Sequence, residues 1–246
     1  MLGLGANLSS SSSIPQDLNS MTTDLELWLK NSTGVAVGQW DDSSGNSNHA
    51  TQGTGGNQAT LSGGGLDFND DNNEHYDLAS AITIAKGTSS TTGGFCIAVV
   101  WAVDVNTSTV LSDSSNEFFE FKSNNSLRFS GNDDSNTTSI FVASTGTPFA
   151  LGEKMVILLN RTAGSSGVFS IYKNGSSVSY AASSGASTLA DAGENVMGFD
   201  IDTLGIKGAS THAFDGDIFE LAFWSKSLSA QEISDVNDYL TTIHGL

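Results

Sequence analysis

The chain has 246 residues, of which 38% are hydrophobic, and this is enough for a buried core without support from disulfides or metals. Nine Lys and Arg against 27 Asp and Glu give a formal net charge of −18, and a surface this acidic repels phosphate backbones and anionic lipid, so we predict no nucleic-acid partner and no membrane surface. No segment approaches the ~20 apolar residues that cross a bilayer, so we expect no membrane insertion, and the single cysteine, Cys96, can form no internal disulfide.

Residues 1–21 differ in composition from the rest and are predicted to form an N-terminal arm. The serine run at 9–13 cannot build a core, whereas Leu2, Leu4 and Leu8 form a short apolar patch. We expect this patch either to dock on a partner or neighbouring subunit, or to belong to a frayed tail. The stretch has no basic region and its apolar run is too short for a signal peptide.

Residues 22–246 are predicted to form one all-β domain, because many short strands alternate with turn signals. Apolar residues first alternate at Leu25–Leu29, and Phe95–Val103 has the near-continuous apolar character of a central strand buried on both faces. Asn174 and Gly175 separate two alternating segments, which is the strongest short-range hairpin signal. The pattern predicts an antiparallel β-sandwich of the jelly-roll type.

One helix is predicted, at the C-terminal end of the chain. Ser229 and Glu232 have the spacing of a capping box, and Gly245 supplies a stop. We expect the helix to pack on the sandwich through one apolar face, because apolar residues recur at three- and four-residue steps. The residues of this face are Ile233, Val236, Leu240 and Ile243.

Two motifs stand in a fixed order at the ends of this domain. Near its start, a strand that contains Trp28 is followed by residues 41–49, Asp-Asp-Ser-Ser-Gly-Asn-Ser-Asn-His. At its end, residues 214–224 read aromatic-x-Gly-x-Ile-x-Glu and lead into Leu-Ser-x-x-Glu-Ile. Together they resemble laminin-G-like, concanavalin A-like jelly-roll domains. The resemblance covers most of residues 22–246 and implies a scaffold that hosts sugar binding, adhesion, capsid decoration and occasional glycoside hydrolysis.

Asp215, Asp217 and Glu220 form the candidate catalytic pattern, in the closing strand. The resemblance adds that retaining glucanases on this scaffold carry Glu-x-Asp-x-x-Glu, with two carboxyls ~5 to 5.5 Å apart. Here the first position holds the shorter Asp215, and regular alternation would turn Glu220 to the opposite face from the two aspartates. We therefore predict no catalytic residue and a non-enzymatic domain, with a retaining glycoside hydrolase as the alternative.

Loops rich in Asp and Asn are the predicted binding regions. Their oxygens suit Ca²⁺, and the resemblance implies calcium in rim loops, although short Asp/Asn clusters also form plain turns. The predicted calcium ligands are Asp70, Asp71 and Asn72, followed by Asp41 and Asn46. The predicted glycan-binding residues are Trp40, His49, Asn72 and Asn73, with Trp40 as a possible surface platform beside the acidic loop.

The composition also bears on where the protein works. The body is rich in Ser, Thr, Asn and Gly and poor in Lys, which is typical of surfaces exposed outside cells, yet no signal peptide is recognised. A phage virion protein reconciles the two, because it is made in the host cytoplasm and reaches the exterior by assembly and lysis. We predict a capsid-decorating or tail-associated surface protein that contacts other virion proteins through its arm, binds host-surface glycans, and acts singly or as a homo-oligomer. A purely architectural decoration protein without a ligand is the further alternative.

Overall fold

The computed structural model describes residues 18–85, 87, 89–113, 117–131, 138–164, 167–182, 198–208 and 212–246. These residues form two antiparallel sheets packed face to face and one α-helix, which confirms the predicted all-β sandwich with a C-terminal helix. No helix among them is both long and apolar enough to span a membrane. Short 3₁₀ turns lie at Leu18–Met21, Gly55–Asn57 and Asp70–Asn72.

The strands follow one another in short antiparallel runs. In chain order they are β1 (Leu25–Leu29), β2 (Val35–Ala36), β3 (Gln39–Trp40), β4 (Ala50–Thr51), β5 (Thr60–Ser62), β6 (Gly65–Phe68), β7 (Tyr76–Ile84), β8 (Phe95–Val103), β9 (Ser108–Ser112), β10 (Phe118–Ser123), β11 (Ser126–Ser130), β12 (Thr138–Ala143), β13 (Met155–Arg161), β14 (Phe169–Lys173), β15 (Ser176–Ser177), β16 (Tyr180–Ala182), β17 (Phe199–Leu204) and β18 (Gly216–Trp224). The helix α1 covers Ala230–His244.

Two sheets share these strands. Sheet 1 has the order β15-β14-β13-β8-β18-β6-β5, and β1 also pairs with β18. Sheet 2 has the order β16-β12-β11-β10-β9-β17-β7-β4-β3-β2. The sandwich core lies between their inner faces and is rich in aromatic rings, as in the stacked pair Trp101 and Phe119, whose ring centroids are 5.8 Å apart.

The strand β8 is buried along its whole length, as predicted, because its two faces serve two cores. Ile97, Val99 and Trp101 point into the sandwich, whereas Cys96 and Ala98 point to the outer side of sheet 1. Burial raises the pKa of the Cys96 thiol well above its usual value. The cysteine therefore behaves as a small apolar side chain.

The helix α1 closes the outer face of sheet 1. Ser229 and Glu232 form the predicted capping box, and Gly245 ends the helix at a φ of 69°. Three residues of the predicted apolar face are buried, but Ile243 is 55% exposed. That assignment was wrong because His244 takes the inward position in the last turn, where its side chain is only 2% exposed.

The turn Leu18–Met21 packs into the same outer cluster. Leu18 is 1% exposed, and the Trp224 indole donates a hydrogen bond of 3.0 Å to the Met21 carbonyl. These residues fall within the segment predicted as the arm, and their burial attaches its C-terminal end to the sandwich. The apolar patch predicted nearer the N-terminus lies outside the described residues.

Candidate functional site

The closing strand β18 contains an irregularity that changes where its acids point. Ile218 pairs with Trp101 but Glu220 pairs with the adjacent Val100, so Phe219 is an extra, bulged residue. Ile218 points into the sandwich core, and Glu220, like Asp217, lies on the outer side of sheet 1. The predicted opposite orientation of Asp217 and Glu220 is therefore wrong, because it assumed a regular strand.

Glu220 is enclosed beneath α1. Its carboxylate is 0% exposed and accepts hydrogen bonds from the Trp28 indole at 2.8 Å, the Tyr239 hydroxyl at 3.1 Å and His244 Nε2 at 2.9 Å. These donors come from β1 and from the helix. The carboxylate thus ties the helix to the sheet, and a sugar cannot reach it in this fold.

Asp215 is instead paired with Asp70, which the sequence assigned to a calcium site. Burial, and next to it the neighbouring Asp70, raise the pKa of Asp215 to about 6. A second carboxyl so close disfavours the ionised form of the first. The structure thus brings together a residue of the glycosidase alternative and a predicted metal ligand.

A strip of carboxylates continues from this pair across the end of sheet 1. Asp217 lies opposite Asp67 in the β18–β6 pairing, and burial, Asp217 and Asp104 raise the pKa of Asp67. Lys154 lies beside the strip, with its Nζ 4.2 Å from the centre of the Phe219 ring. Across the described ranges, no three His, Cys, Asp or Glu side chains are arranged to hold a metal ion.

The loop at residues 69–74 is held by its own side chains. Asn69 accepts a hydrogen bond of 2.9 Å from the Asp71 amide, and Asn73 adopts the left-handed conformation at the end of the turn. Glu74 accepts from the Asn69 amide at 2.8 Å and from the Asn72 side chain at 3.3 Å. The amide of Asn72 is therefore directed at Glu74, while Asp70 is directed at Asp215.

The loop at residues 41–49 is organised by Asp42, which the sequence did not single out. Its carboxylate accepts hydrogen bonds from the backbone amides of Trp28, Ser44 and Asn48 at 2.9, 2.8 and 3.0 Å. Asp42 is 9% exposed. The motif that carried the family resemblance is thus a structural brace between this loop and β1.

The predicted ligands of this loop have separate partners. Asp41 lies 3.5 Å from His49 Nδ1, whereas the Asn46 side chain donates a 2.7 Å hydrogen bond to the Leu25 carbonyl. Trp40 is 0% exposed and donates from its indole to the Lys30 carbonyl at 3.1 Å. The predicted surface platform at Trp40 is wrong, because β3 turns this side chain into the sandwich core.

A depression of about 320 Å³ lies along the edge strand β15. Lys173 at its wall donates to the Pro148 carbonyl at 2.6 Å and to Glu153 at 2.7 Å. The other lining residues are mostly hydroxyl-bearing: Thr145, Ser176, Ser177 and Ser179, with Val178 between them. Such a surface offers short hydroxyl donors and acceptors.

The outer face of sheet 2 carries a cluster that the sequence analysis missed. Glu120 is 0% exposed and lies 3.1 Å from His212 Nδ1 and 3.5 Å from Arg128 Nη1. Lys207 Nζ lies 3.8 Å and Arg128 Cζ 4.7 Å from the centre of the Phe118 ring. We call Glu120, Arg128, His212, Lys207 and Lys122 the basic cluster, since Lys122 also lies close enough to Lys207 to lower its pKa.

The proximity of Glu120 and Arg128 within the basic cluster could be predicted from the sequence. Phe118 and Glu120 alternate with Phe119 and Phe121, which point into the sandwich core, and Glu120 pairs directly with Arg128 across the β10–β11 hairpin. Two adjacent strands with a turn at Asn124 and Asn125 bring Glu120 and Arg128 opposite each other, so this pairing depends on a local signal. The position of Lys207, far along the chain, could not be predicted in this way.

Residues 77–234 match the family model of the concanavalin A-like lectin/glucanases superfamily. The chain belongs to this superfamily. The assignment confirms the resemblance that was based on the two terminal motifs. A comparison with curated protein sequences found no match.

Solved structures share the concanavalin A-like fold at low identity. The binding domain of Paraclostridial Mosquitocidal Protein 1 matches with a TM-score of 0.57 and 14% identity, over 87% of this chain and 52% of that chain. The receptor binding domain of botulinum neurotoxin D gives 0.52 and 14% over 89% and 53%, and Trypanosoma rangeli sialidase gives 0.52 and 15% over 89% and 33%. This chain therefore spans between a third and about half of those chains, and the likeness shows the fold alone.

This concanavalin A-like domain presents three surfaces with distinct chemistry. The strip near Asp215 and Asp217 is acidic, the depression beside Ser177 is rich in hydroxyls, and the face around Arg128 is cationic. The third acid of the closing strand, Glu220, belongs to none of them because it is enclosed. The arrangement offers binding surfaces more readily than a pair of facing catalytic carboxyls.

Proposed function

We propose that this chain is a non-enzymatic carbohydrate-binding module, displayed on the surface of a phage particle. The observation that carries the non-enzymatic part is the enclosure of Glu220, with three hydrogen bonds and no exposed area. Glycoside hydrolysis needs two carboxyls that flank the same scissile bond, and Glu220 cannot take either place without removal of α1.

Carbohydrate binding is supported by the family and by the surfaces. The chain belongs to a superfamily whose description includes lectins, and two of the proteins that share its fold are described as a binding domain and a receptor binding domain. The hydroxyl-lined depression beside Ser177 offers the hydrogen-bonding groups that sugars match. Individually weak contacts of this kind gain strength when many copies are displayed.

Binding of the full chain to an immobilised glycan array tests this part of the proposal. We expect retention of a defined subset of glycans without any change in their mass. If no glycan is retained at high display density, the carbohydrate-binding proposal fails and the architectural alternative takes its place. Repeating the array with a calcium chelator tests the predicted Ca²⁺. If Asp70 or Asp41 binds calcium that glycan binding needs, the chelator should reduce glycan retention.

The glycosidase alternative has one observation in its favour, which is the raised pKa of Asp215, about 6. A carboxyl with such a pKa can serve as a general acid near neutral pH. Incubating laminarin-type β-glucans with the wild type and with Asp217→Ala separates the cases. Turnover that is present in the wild type and lost in the variant would overturn the non-enzymatic proposal.

The virion part of the proposal rests on the composition described above and on the predicted arm. Because Leu18 and Met21 are buried in the outer cluster, the informative deletion removes residues 1–17 and leaves this turn in place. We expect particles assembled with the shortened chain to lack the protein, as measured by immunoblotting of density-purified virions. A full-length chain with Leu61→Ser, at a side chain 55% exposed on β5, is the matched control. Equal incorporation of the shortened chain would contradict attachment through the arm.

A further inference from the structure

The basic cluster stands out against the charge of the whole chain. The chain has nine Lys and Arg against 27 Asp and Glu, yet Lys122, Arg128 and Lys207 gather around the single carboxylate of Glu120. Their mutual proximity is visible in Lys207, whose pKa is lowered by burial and by the charges of Arg128 and Lys122. Within this cluster, three basic side chains therefore lie near one carboxylate.

Arg128 is the member with the most unused hydrogen-bonding capacity. A guanidinium has five N–H donors, and within the part of the chain that the structure describes Arg128 makes one hydrogen bond, to Glu120 at 3.5 Å. Its Nε is buried and has no partner there. The side chain is 22% exposed, so part of it can be reached from solvent.

The remaining basic groups of the cluster are also partly exposed. His212 is 35% exposed and contacts the same carboxylate as Arg128. Lys122 donates to the Thr107 hydroxyl at 3.1 Å, and both Lys122 and Lys207 are partly exposed. The Phe118 ring is 1% exposed and lies beneath the Lys207 ammonium and the Arg128 guanidinium.

We propose that Arg128, Lys207 and Lys122 form a subsite for an acidic group of a glycan, a carboxylate or a sulfate ester. The inference rests on the proposed carbohydrate binding and names its ligand class as acidic saccharides. Two oxygens of a carboxylate or of a sulfate ester can accept two hydrogen bonds from a guanidinium, and a neighbouring ammonium adds a point charge. Glu120 holds Arg128 and His212 in place.

The test compares matched saccharides on one array. The probes are lactose, sialyllactose and 6′-sulfolactose, which share a core and differ in having no acidic group, a carboxylate or a sulfate. We expect the wild type to retain at least one acidic probe at least about tenfold more strongly than lactose, since charge-assisted hydrogen bonds have this magnitude. Preference for sialyllactose or for 6′-sulfolactose identifies which acidic group the subsite takes.

Charge-removing variants locate the subsite. Arg128→Gln and Lys207→Gln should each reduce binding of the acidic probe about tenfold or more, while binding of neutral glycans is unchanged. Lys226→Gln is the matched control, because it removes the same charge from a partly exposed lysine that is paired with Glu232 beside α1. Thermal unfolding of each variant verifies that it is folded. If Arg128→Gln does not fold, binding by Lys207→Gln is the test of the subsite location.

The outcomes separate the two proposals. Retention of neutral glycans only would overturn the acidic subsite and leave the carbohydrate-binding proposal intact. Retention of acidic glycans that Lys207→Gln does not weaken would overturn the location on sheet 2. Retention of no glycan at all would end both proposals.

Discussion

Replacement of Glu220 by Ala is the most direct test of the role assigned to this residue. The change removes the acceptor of three buried donors, on Trp28, Tyr239 and His244. Each buried donor left without a partner costs ~1–3 kcal/mol, and three donors lose their acceptor here. Some donors will find water in the space that is left, so we expect the free energy of unfolding to fall by about 4 kcal/mol.

Urea unfolding followed by tryptophan fluorescence measures this loss. Glu153→Ala is the matched control, because Glu153 is also paired, with Lys173, but its side chain is 41% exposed and such pairs contribute ~0–1 kcal/mol. Glycan binding well below the unfolding temperature should be equal for Glu220→Ala and the wild type. A loss of less than about 1 kcal/mol from Glu220→Ala would refute the structural role of this carboxylate, whatever its effect on binding.

Three further changes test other parts of the structure. Asp215→Asn should stabilise the fold above pH 6 and leave it unchanged near pH 4. The folded pKa of about 6 lies above the ordinary 3.8, so ionisation between these values lowers stability as pH rises. Thermal melts at pH 4 and 7.5 that shift equally would contradict the raised pKa of Asp215. Trp40→Ala should cost ~3–5 kcal/mol, as for a buried ring, whereas an unchanged urea midpoint would restore the surface platform. Asp42→Ala should cost ~3 kcal/mol, because three backbone amides lose their acceptor; a loss below ~1 kcal/mol would show that the loop does not need this brace.

The sequence predicted the features that depend on local physics. The hairpin at Asn174 and Gly175 forms because both residues adopt the positive φ, 47° and 79°, that a two-residue turn requires. The continuous apolar run of β8 required two apolar layers, and the structure supplies both, the sandwich core and the cluster under α1. Each of these signals lies within about ten consecutive residues, and none depends on a distant contact.

The errors arose where one inserted residue or a distant contact decides the outcome. Regular alternation of side chains along the strand predicted opposite faces for Asp217 and Glu220. The bulge at Phe219 places both on the same face. Trp40 was placed at the surface because of its acidic neighbours, but a two-residue strand turns its side chain inward. The Asp70–Asp215 contact joins residues that only the β6–β18 pairing brings together.

The net charge of −18 and a site for acidic sugars are compatible once distance is considered. Screening in physiological salt limits charge interactions to ~8 Å, so a long polyanion meets the acidic surface over most of its length and is repelled. A single carboxylate or sulfate on a short glycan meets only the cluster around Arg128 and Lys207. Added salt should therefore weaken the binding of acidic glycans to wild type while leaving neutral glycans unaffected. The prediction of no nucleic-acid partner thus does not extend to small anions, and the acidic exterior would itself select short acidic glycans over polyanions.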